Sequence, residues 1–533
     1  MTIASAITNA QQKVANAYTA VQNKGGTLPA TQDLSNLPTA IGTITQTNLT
    51  TLYATTNGTY TPTSPYNGYS QVDVSVNAVN NTALSITPTT SAQSFTVSAP
   101  YTGYNPISVS AVTSAIDSNI QPNRIRKDVV ILGVTGTYGE PLPPPLIACS
   151  DNETWYLTND GNLYGCGNNN AGQQGKGNSF GTVTTFTQRA TNVKMVYSAF
   201  NDVTWYITND DVLYGCGRND SGQQGSGDTT NVTTFTQRAS NVKMVAIPKE
   251  YGGTTWYIDN NDVLYGCGYN LLGQQGSGNT TNVTTFTQRA SNVKMVACSG
   301  NTTWYIDNND VLFGCGNNSS GQQGKGNSSG TVTTFTQRAS NVKQVACSSN
   351  TTWYVTNDGE LYGCGSSNRG QQGSGDTTKV TTFTQRASNV KMVLCNNNST
   401  WYLTNDGDLY GCGYNSYGQQ GSGDTTDVTT FTLRASNVKD IACLGNTTWY
   451  IDNNGNLYGC GYNSYGQQGS GDTTDVTTFT LRATNVKQII CSNSTTWYST
   501  QNDVYGCGYN YYGQQGNGTS GSGTDVLTFT KRN

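Results

Sequence analysis

Every tryptophan in this chain occupies the same place in one repeating unit. The eight residues Trp155, Trp205, Trp256, Trp304, Trp353, Trp401, Trp449 and Trp497 follow each other at intervals of 48 to 51 residues. One unit, residues 345–391, reads VACSSNTTWYVTNDGELYGCGSSNRGQQGSGDTTKVTTFTQRASNVK. Self-similarity at a period near fifty residues points to a solenoid, a propeller or an array, and it outweighs any local propensity.

The unit parses into four strands. Val345 to Cys347 is a short apolar strand, and Thr352 to Thr356 alternates around Trp353. Asn357-Asp358-Gly359 forms a hairpin turn in which glycine supplies a positive φ. Leu361 to Cys364 returns, and Thr381 to Arg386 is the fourth strand. Four short strands per repeat is the blade pattern of a propeller. A lone blade cannot bury both of its faces, so blades must stack in a ring. The expected fold is mainly β, with a C-terminal eight-bladed β-propeller.

The glycine-rich stretch Gly365-Ser366-Ser367-Asn368-Arg369-Gly370-Gln371-Gln372-Gly373-Ser374-Gly375, with the preceding turn and Leu-Tyr-Gly, resembles the signature of RCC1-type repeats. The resemblance covers about residues 145–533 and recurs eight times in register. Two features depart from the family. It typically carries Leu where the second Gln stands, and most members have seven repeats. Eight units therefore imply eight blades, or seven plus an edge unit, and one closed ring of eight is the expectation. The founding member's nucleotide exchange on a nuclear GTPase and its chromatin binding are not carried over, because the basic segments they require are missing.

The N-terminal third is organised differently. Ile3, Ile7, Ala10, Val14, Ala17 and Val21 are spaced 4, 3, 4, 3, 4 apart. That pattern predicts an amphipathic helix, serving either its own domain or docking and oligomerisation, ended by Gly25-Gly26. A second short helix is expected near residues 32–41, with Pro38 interrupting it. From residue 47 the pattern turns to small β-modules; PYNGYSQVDVSV and PYTGYNPISVSAV look like related strands. The segments QQKVANAYTAVQNKGGTLPATQDLSNLPTAI and NRIRKDVVILGVTGTY resemble attachment and spacer modules of bacteriophage tail-fibre and minor tail proteins. The expected layout is a docking segment at 1–46, β-modules at 47–140, a Pro-rich linker at 141–146 and the propeller at 147–533.

Composition excludes several classes. Charged residues make up 11% of the chain and the net charge is −4, so a phosphate-binding surface is not expected. There is no histidine, which removes His-based acid–base catalysis and most zinc-enzyme ligand sets. No apolar run approaches the roughly 20 residues of a membrane span. No signal peptide is visible, so action outside a cell would follow assembly into a particle released by lysis.

Three motifs invite chemistry and find simpler readings. Each unit has a Cys in Gly-Cys-Gly, from Cys166 to Cys507, and six have a second on the first strand. Units two and three place Ser198 and Ile247 there instead and keep Cys216 and Cys267, so obligatory disulfides are not expected. Buried free thiols acting as small hydrophobes are expected. Gly321-Gln322-Gln323-Gly324-Lys325-Gly326 superficially suggests a phosphate loop, but Gly follows the Lys where Ser or Thr is needed. The Asn-Asp-Gly carboxylates are explained by turn chemistry and are too sparse for calcium loops. Neither metal nor cofactor is expected, and no catalytic residue is assigned.

Contrast among the units is the more informative signal. Thr-Thr-Phe-Thr is unchanged in seven of them, yet the four residues before Gly-Gln-Gln-Gly read NNNA, RNDS, YNLL, NNSS, SSNR, YNSY, YNSY and YNYY. Tyr, Asn, Ser and Arg are the side chains that adaptable binding loops favour. Arg218, Tyr269, Arg369, Tyr414, Tyr417, Tyr462, Tyr465, Tyr509, Tyr511 and Tyr512 are therefore the candidate ligand-binding residues. Rotation relates the blades, so all eight loops belong on one face. A second asymmetry is the longer loop at Ser198 to Asp202 and at Ile247 to Gly253.

These readings together suggest a phage tail-fibre or tail-associated virion protein acting at the host cell surface. Its N-terminal part would dock on other virion proteins as a homo-oligomer, and its propeller would bind a host glycan or protein. A surface-polysaccharide depolymerase on the same scaffold and a purely structural particle component are the alternatives. No nucleic acid and no membrane insertion are expected.

Overall fold

The computed structural model describes residues 16–20 and 22, six short strands between 58 and 135, and residues 146–532 except 200, 201, 249–251 and 397. The chain divides into two compact units, Met1–Pro141 and Leu142–Asn533. In the first, residues 16–20 are helical, within the predicted first helix; the rest of that helix and all of the second lie outside the described residues. Strands β1 (Gly58–Tyr60), β2 (Val72–Val74), β3 (Gln93–Phe95) and β4 (Ile107–Val109) form one sheet in the order β1-β2-β4-β3. The two segments read as related are thereby neighbours, with Asp73 opposite Ser108. Strands β5 (Val130–Ile131) and β6 (Val134–Thr135) form a separate hairpin.

The second unit is a ring of eight four-stranded antiparallel blades, each made from one contiguous repeat. In blade 5 the strands are Val342–Cys347, Thr351–Thr356, Leu361–Gly365 and Val380–Ala387. The first begins three residues earlier than its apolar run suggested, because Val342 is also buried.

Cross-strand sterics explain why Trp and Gly recur together. Trp353 lies directly opposite Gly363, and a Cβ on Gly363 would stand 2.3 Å from the indole. The ring spreads over the bare backbone of the next strand and is fully buried there. Its edge then meets the following blade: Trp353 and Phe431 have centroids 5.7 Å apart at 77°, a favourable edge-to-face pair.

The apolar core is therefore shared between blades. Trp353, Val355 and Leu361 of blade 5 cluster with Val390, Val393 and Tyr402 of blade 6. The same cluster forms across the seam, where Trp497 and Val504 of blade 8 pack with Ile147 and Cys149 of blade 1. Trp497 meets Phe186 at 5.9 Å, and an isolated bridge joins Asn517 to Thr185, as Ser374 joins Thr430 between blades 5 and 6. Every inter-blade contact type is repeated at the seam, so the ring closes at eight.

The first strands meet around the axis, where Cys149, Leu394, Cys443 and Cys491 help line a 240 Å³ cavity. The fourth strands form the outer rim and are only partly buried, with Thr382 and Gln385 exposed in blade 5. None of the fourteen cysteines is in a disulfide. Those in Gly-Cys-Gly are fully buried, and each thiol donates to the preceding blade, as Cys364 does to the Gln322 carbonyl. The expectation of burial is corrected for Cys298, Cys347, Cys395 and Cys443, which are only half-buried because the first strands border the axial opening.

Candidate functional site

The loop ahead of Gly-Gln-Gln-Gly is held rigid by buried amides. Asn415 in blade 6 is fully buried. Its Nδ2 donates to Ser422 Oγ at 2.8 Å and to the Asp424 and Thr426 carbonyls, and its Oδ1 accepts from the Gln420 amide. Gln420 Nε2 donates to the Cys412 carbonyl at 2.9 Å, and Gln419 Oε1 accepts from the Tyr417 amide. Seven blades carry Asn at this second loop position and blade 5 carries Ser367. One of the four residues read as freely variable is thus part of the scaffold, and its neighbours are left facing outward.

Those neighbours form a continuous aromatic band. Tyr414 and Tyr417 have ring centroids 6.0 Å apart, and Tyr417 reaches across the blade junction to Tyr462 at 4.8 Å. Tyr462 meets Tyr465 at 6.1 Å, and Tyr465 crosses the next junction to Tyr509 at 4.7 Å. Tyr511 and Tyr512 complete the band, 5.1 Å from each other and both in contact with Tyr509. At the other end the Arg369 guanidinium lies 5.0 Å from the Tyr414 ring centre and pairs with Asp427 at 3.3 Å. Tyr511 is 44% exposed and Tyr465 36%; the other five rings are half-buried. Mutual packing fixes the rings without hiding them. The neighbouring Tyr414 holds the Tyr417 hydroxyl above its ordinary pKa, and partial burial does the same for Tyr509.

Arg218 and Tyr269 occupy the same loop position but belong to blades 2 and 3, across the ring from the band. They line a separate 300 Å³ pocket with Asp220, Ser221, Gly253 and Asn301. Asp220 and Asn301 escaped the sequence reading, which singled out the longer loop from Ile247 to Gly253 without connecting it to Arg218 and Tyr269. The available signal was Gly253, which stands where five blades have Asn.

The second asymmetric loop also resolves differently. Ser198 lies within the first strand of blade 2, Val193–Ala199, and its hydroxyl donates to Glu153 Oε1 at 2.6 Å. Glu153 is fully buried and its Oε2 has no partner. Burial, then the nearby Asp202 carboxylate, push its pKa well above the ordinary value, and the Ser198 and Thr204 hydroxyls only partly oppose this. Among the described residues no group of three or more Cys, Asp or Glu could hold a metal ion.

The family model for the Regulator of chromosome condensation (RCC1) repeat matches residues 342–371. The protein carries an RCC1-like propeller. Human WBSCR16 is similar at 19% identity over 61% of this chain and 94% of that one, with TM-score 0.49. Yeast RCC1 (Prp20), solved bound to Kap60, is similar at 18% identity over 61% and 83%, with TM-score 0.48. Prp20p from Saccharomyces cerevisiae gives 17%, 62%, 87% and 0.49. No curated protein sequence matches the chain.

Proposed function

We propose that the RCC1-like propeller is a non-catalytic binding module whose ligand surface is the loop face carrying the tyrosine band. The observation that carries this reading is the unbroken run of ring contacts from Tyr414 to Tyr512, partly exposed and capped by Arg369. Pre-ordered aromatic rings offer contact area at low entropy cost and suit sugar faces and protein side chains alike. The ligand is a host cell-surface glycan or protein. The setting is a phage tail fibre or tail-associated particle, in which the N-terminal part docks on other virion proteins. That setting rests on the resemblance of residues 1–140 to tail modules, and an image of the protein in its native assembly tests it.

The binding surface is tested with the full chain on a glycan array and on intact bacterial cells. Replacing Tyr417, Tyr465 and Tyr512 together by Ala is expected to weaken attachment at least about tenfold, since aromatic anchors at binding hot spots contribute about 2 kcal/mol or more. The melting temperature is expected to stay within a few degrees. Undiminished attachment by the triple variant refutes the assignment. Release of reducing ends from host polysaccharide would favour the depolymerase instead.

A further inference from the structure

The pocket between blades 2 and 3 lies beside a departure from the repeat. Asn152, Asn301, Asn350, Asn398 and Asn446 each stand three residues before their blade's Trp, where blade 3 has Gly253. A Cβ on Gly253 would lie 3.1 Å from Ser221 Cβ and 3.4 Å from Gln223 Nε2, so the bare backbone lets the two loops approach closely and no side chain from this position projects into the pocket. A strap is also missing. At six of the other seven junctions the first Gln of Gly-Gln-Gln-Gly donates to the next blade's loop, as Gln173 does to Asp202 at 2.9 Å and Gln322 to the Ser349 carbonyl at 3.0 Å, while Gln371 Nε2 donates to Asn368 Oδ1 in its own loop. Gln223 Nε2 turns back instead to Asp220 Oδ1 in its own loop, at 3.3 Å.

The walls of this opening have a definite chemistry. Arg218 Nε and Nη2 grip Asp220 Oδ2 at 2.7 and 2.5 Å, and both side chains are about half exposed, 47% and 51%. The two charges of the pair offset each other at the pocket wall. The pair presents donors and acceptors side by side, which is what a vicinal diol satisfies with its two hydroxyls. Asn301 adds an amide with both functions, and the Tyr269 ring supplies an apolar wall for a C–H face. At 300 Å³ the pocket lies at the lower end of small-molecule sites, about 300–1,000 Å³, so it holds one ring rather than a chain.

We propose that this pocket binds a single neutral saccharide residue. The inference rests on the reading of the loop face as a ligand surface, and it names the ligand class for a second subsite there. Arg218 and Tyr269 hold the loop position that Tyr414, Tyr462 and Tyr509 hold in the band. Pocket and band therefore share a face, and a polysaccharide laid on the band can place a branch or terminal residue in the pocket.

The test is saturation-transfer NMR on the full chain with methyl glycosides of glucose, galactose, mannose and N-acetylglucosamine, and with glucuronate. At least one neutral glycoside is expected to bind with a millimolar dissociation constant. Gly253→Asn, which puts a side chain at the pocket wall, and Asp220→Ala, which removes the exposed carboxylate that Arg218 and Gln223 hold, should each weaken it at least tenfold. The Tyr417, Tyr465 and Tyr512 triple variant should bind the same glycoside unchanged. Absence of neutral glycoside binding, survival of binding in both pocket variants, or tighter binding of glucuronate overturns the proposal. If pocket variants attach to cells normally while the triple variant does not, the pocket inference fails and the band reading stands; the reverse result separates them the other way.

Discussion

Replacing Glu153 by Gln removes a titrating group from the blade 1–blade 2 junction while keeping its shape. Six of the other seven blades carry Thr or Ser at this point and blade 2 carries Val203, so the carboxyl is foreign to the repeat. In the folded chain it is fully buried with one oxygen unpartnered, and its pKa is raised well above the ordinary 4.5. A raised carboxyl contributes fully to stability below its unfolded pKa and loses that contribution as pH climbs toward the folded value. Within that window unfolding releases a proton, and each pH unit removes about 1.4 kcal/mol. As pH rises above the unfolded value the wild-type chain should therefore lose stability through this group, a loss that Gln cannot suffer. The Gln amide left without a partner costs about 1–3 kcal/mol, but that cost does not change with pH. The assay is urea unfolding of both proteins at half-unit steps from pH 4.5 to 8. The gap between the two stability curves should shift in favour of Glu153→Gln as pH rises. Curves that run parallel from pH 5 to pH 7 would refute the argument, because they would mean that Glu153 is already ionised in the folded ring.

Gly363→Ala drives a Cβ into Trp353 and should cost about 1–3 kcal/mol by overpacking; in a Trp353→Leu background the same change should cost much less, and additive costs in a double-mutant cycle would reject the steric account. Gln372→Leu exchanges the bond from Nε2 to the Cys364 carbonyl for the removal of an unpartnered buried Oε1. Its stability should stay within about 1 kcal/mol of wild type, and a loss above about 3 kcal/mol by urea unfolding would contradict that balance. Iodoacetamide at pH 8 should leave the Gly-Cys-Gly thiols of the native ring unmodified, because burial raises every one of them. Cys298, pushed up to about 12, should react slowly, and mass spectrometry finding native alkylation at Cys364 or Cys412 would overturn this.

The blades were legible because each strand is fixed by local pattern. Trp353 and Gly363 are ten residues apart in sequence and directly opposite in the sheet, so their joint recurrence already encodes a hairpin. The tyrosine band was legible for a related reason: rotation carries one loop position onto the next, and blades 6 to 8 are consecutive. The role of the second loop residue was not. Asn415 looks like any other polar loop residue, and only its bonds to Ser422, Asp424 and Thr426 show it to be scaffold.

Sequence alone determined the number of units, the four strands within each and the gathering of the variable loops on one face, since these follow from periodicity and symmetry within a repeat; that the eight units close as eight blades was decided at the seam. Tertiary structure alone decided what happens at the junctions. The partnerless oxygen of Glu153, the crossing from Tyr417 to Tyr462 and the opening left by Gly253 all depend on side chains from adjacent blades, about fifty residues apart in the chain. The physical reason is that each core cluster is shared between two blades, so a departure from the repeat acts on a neighbour whose position only the closed ring fixes.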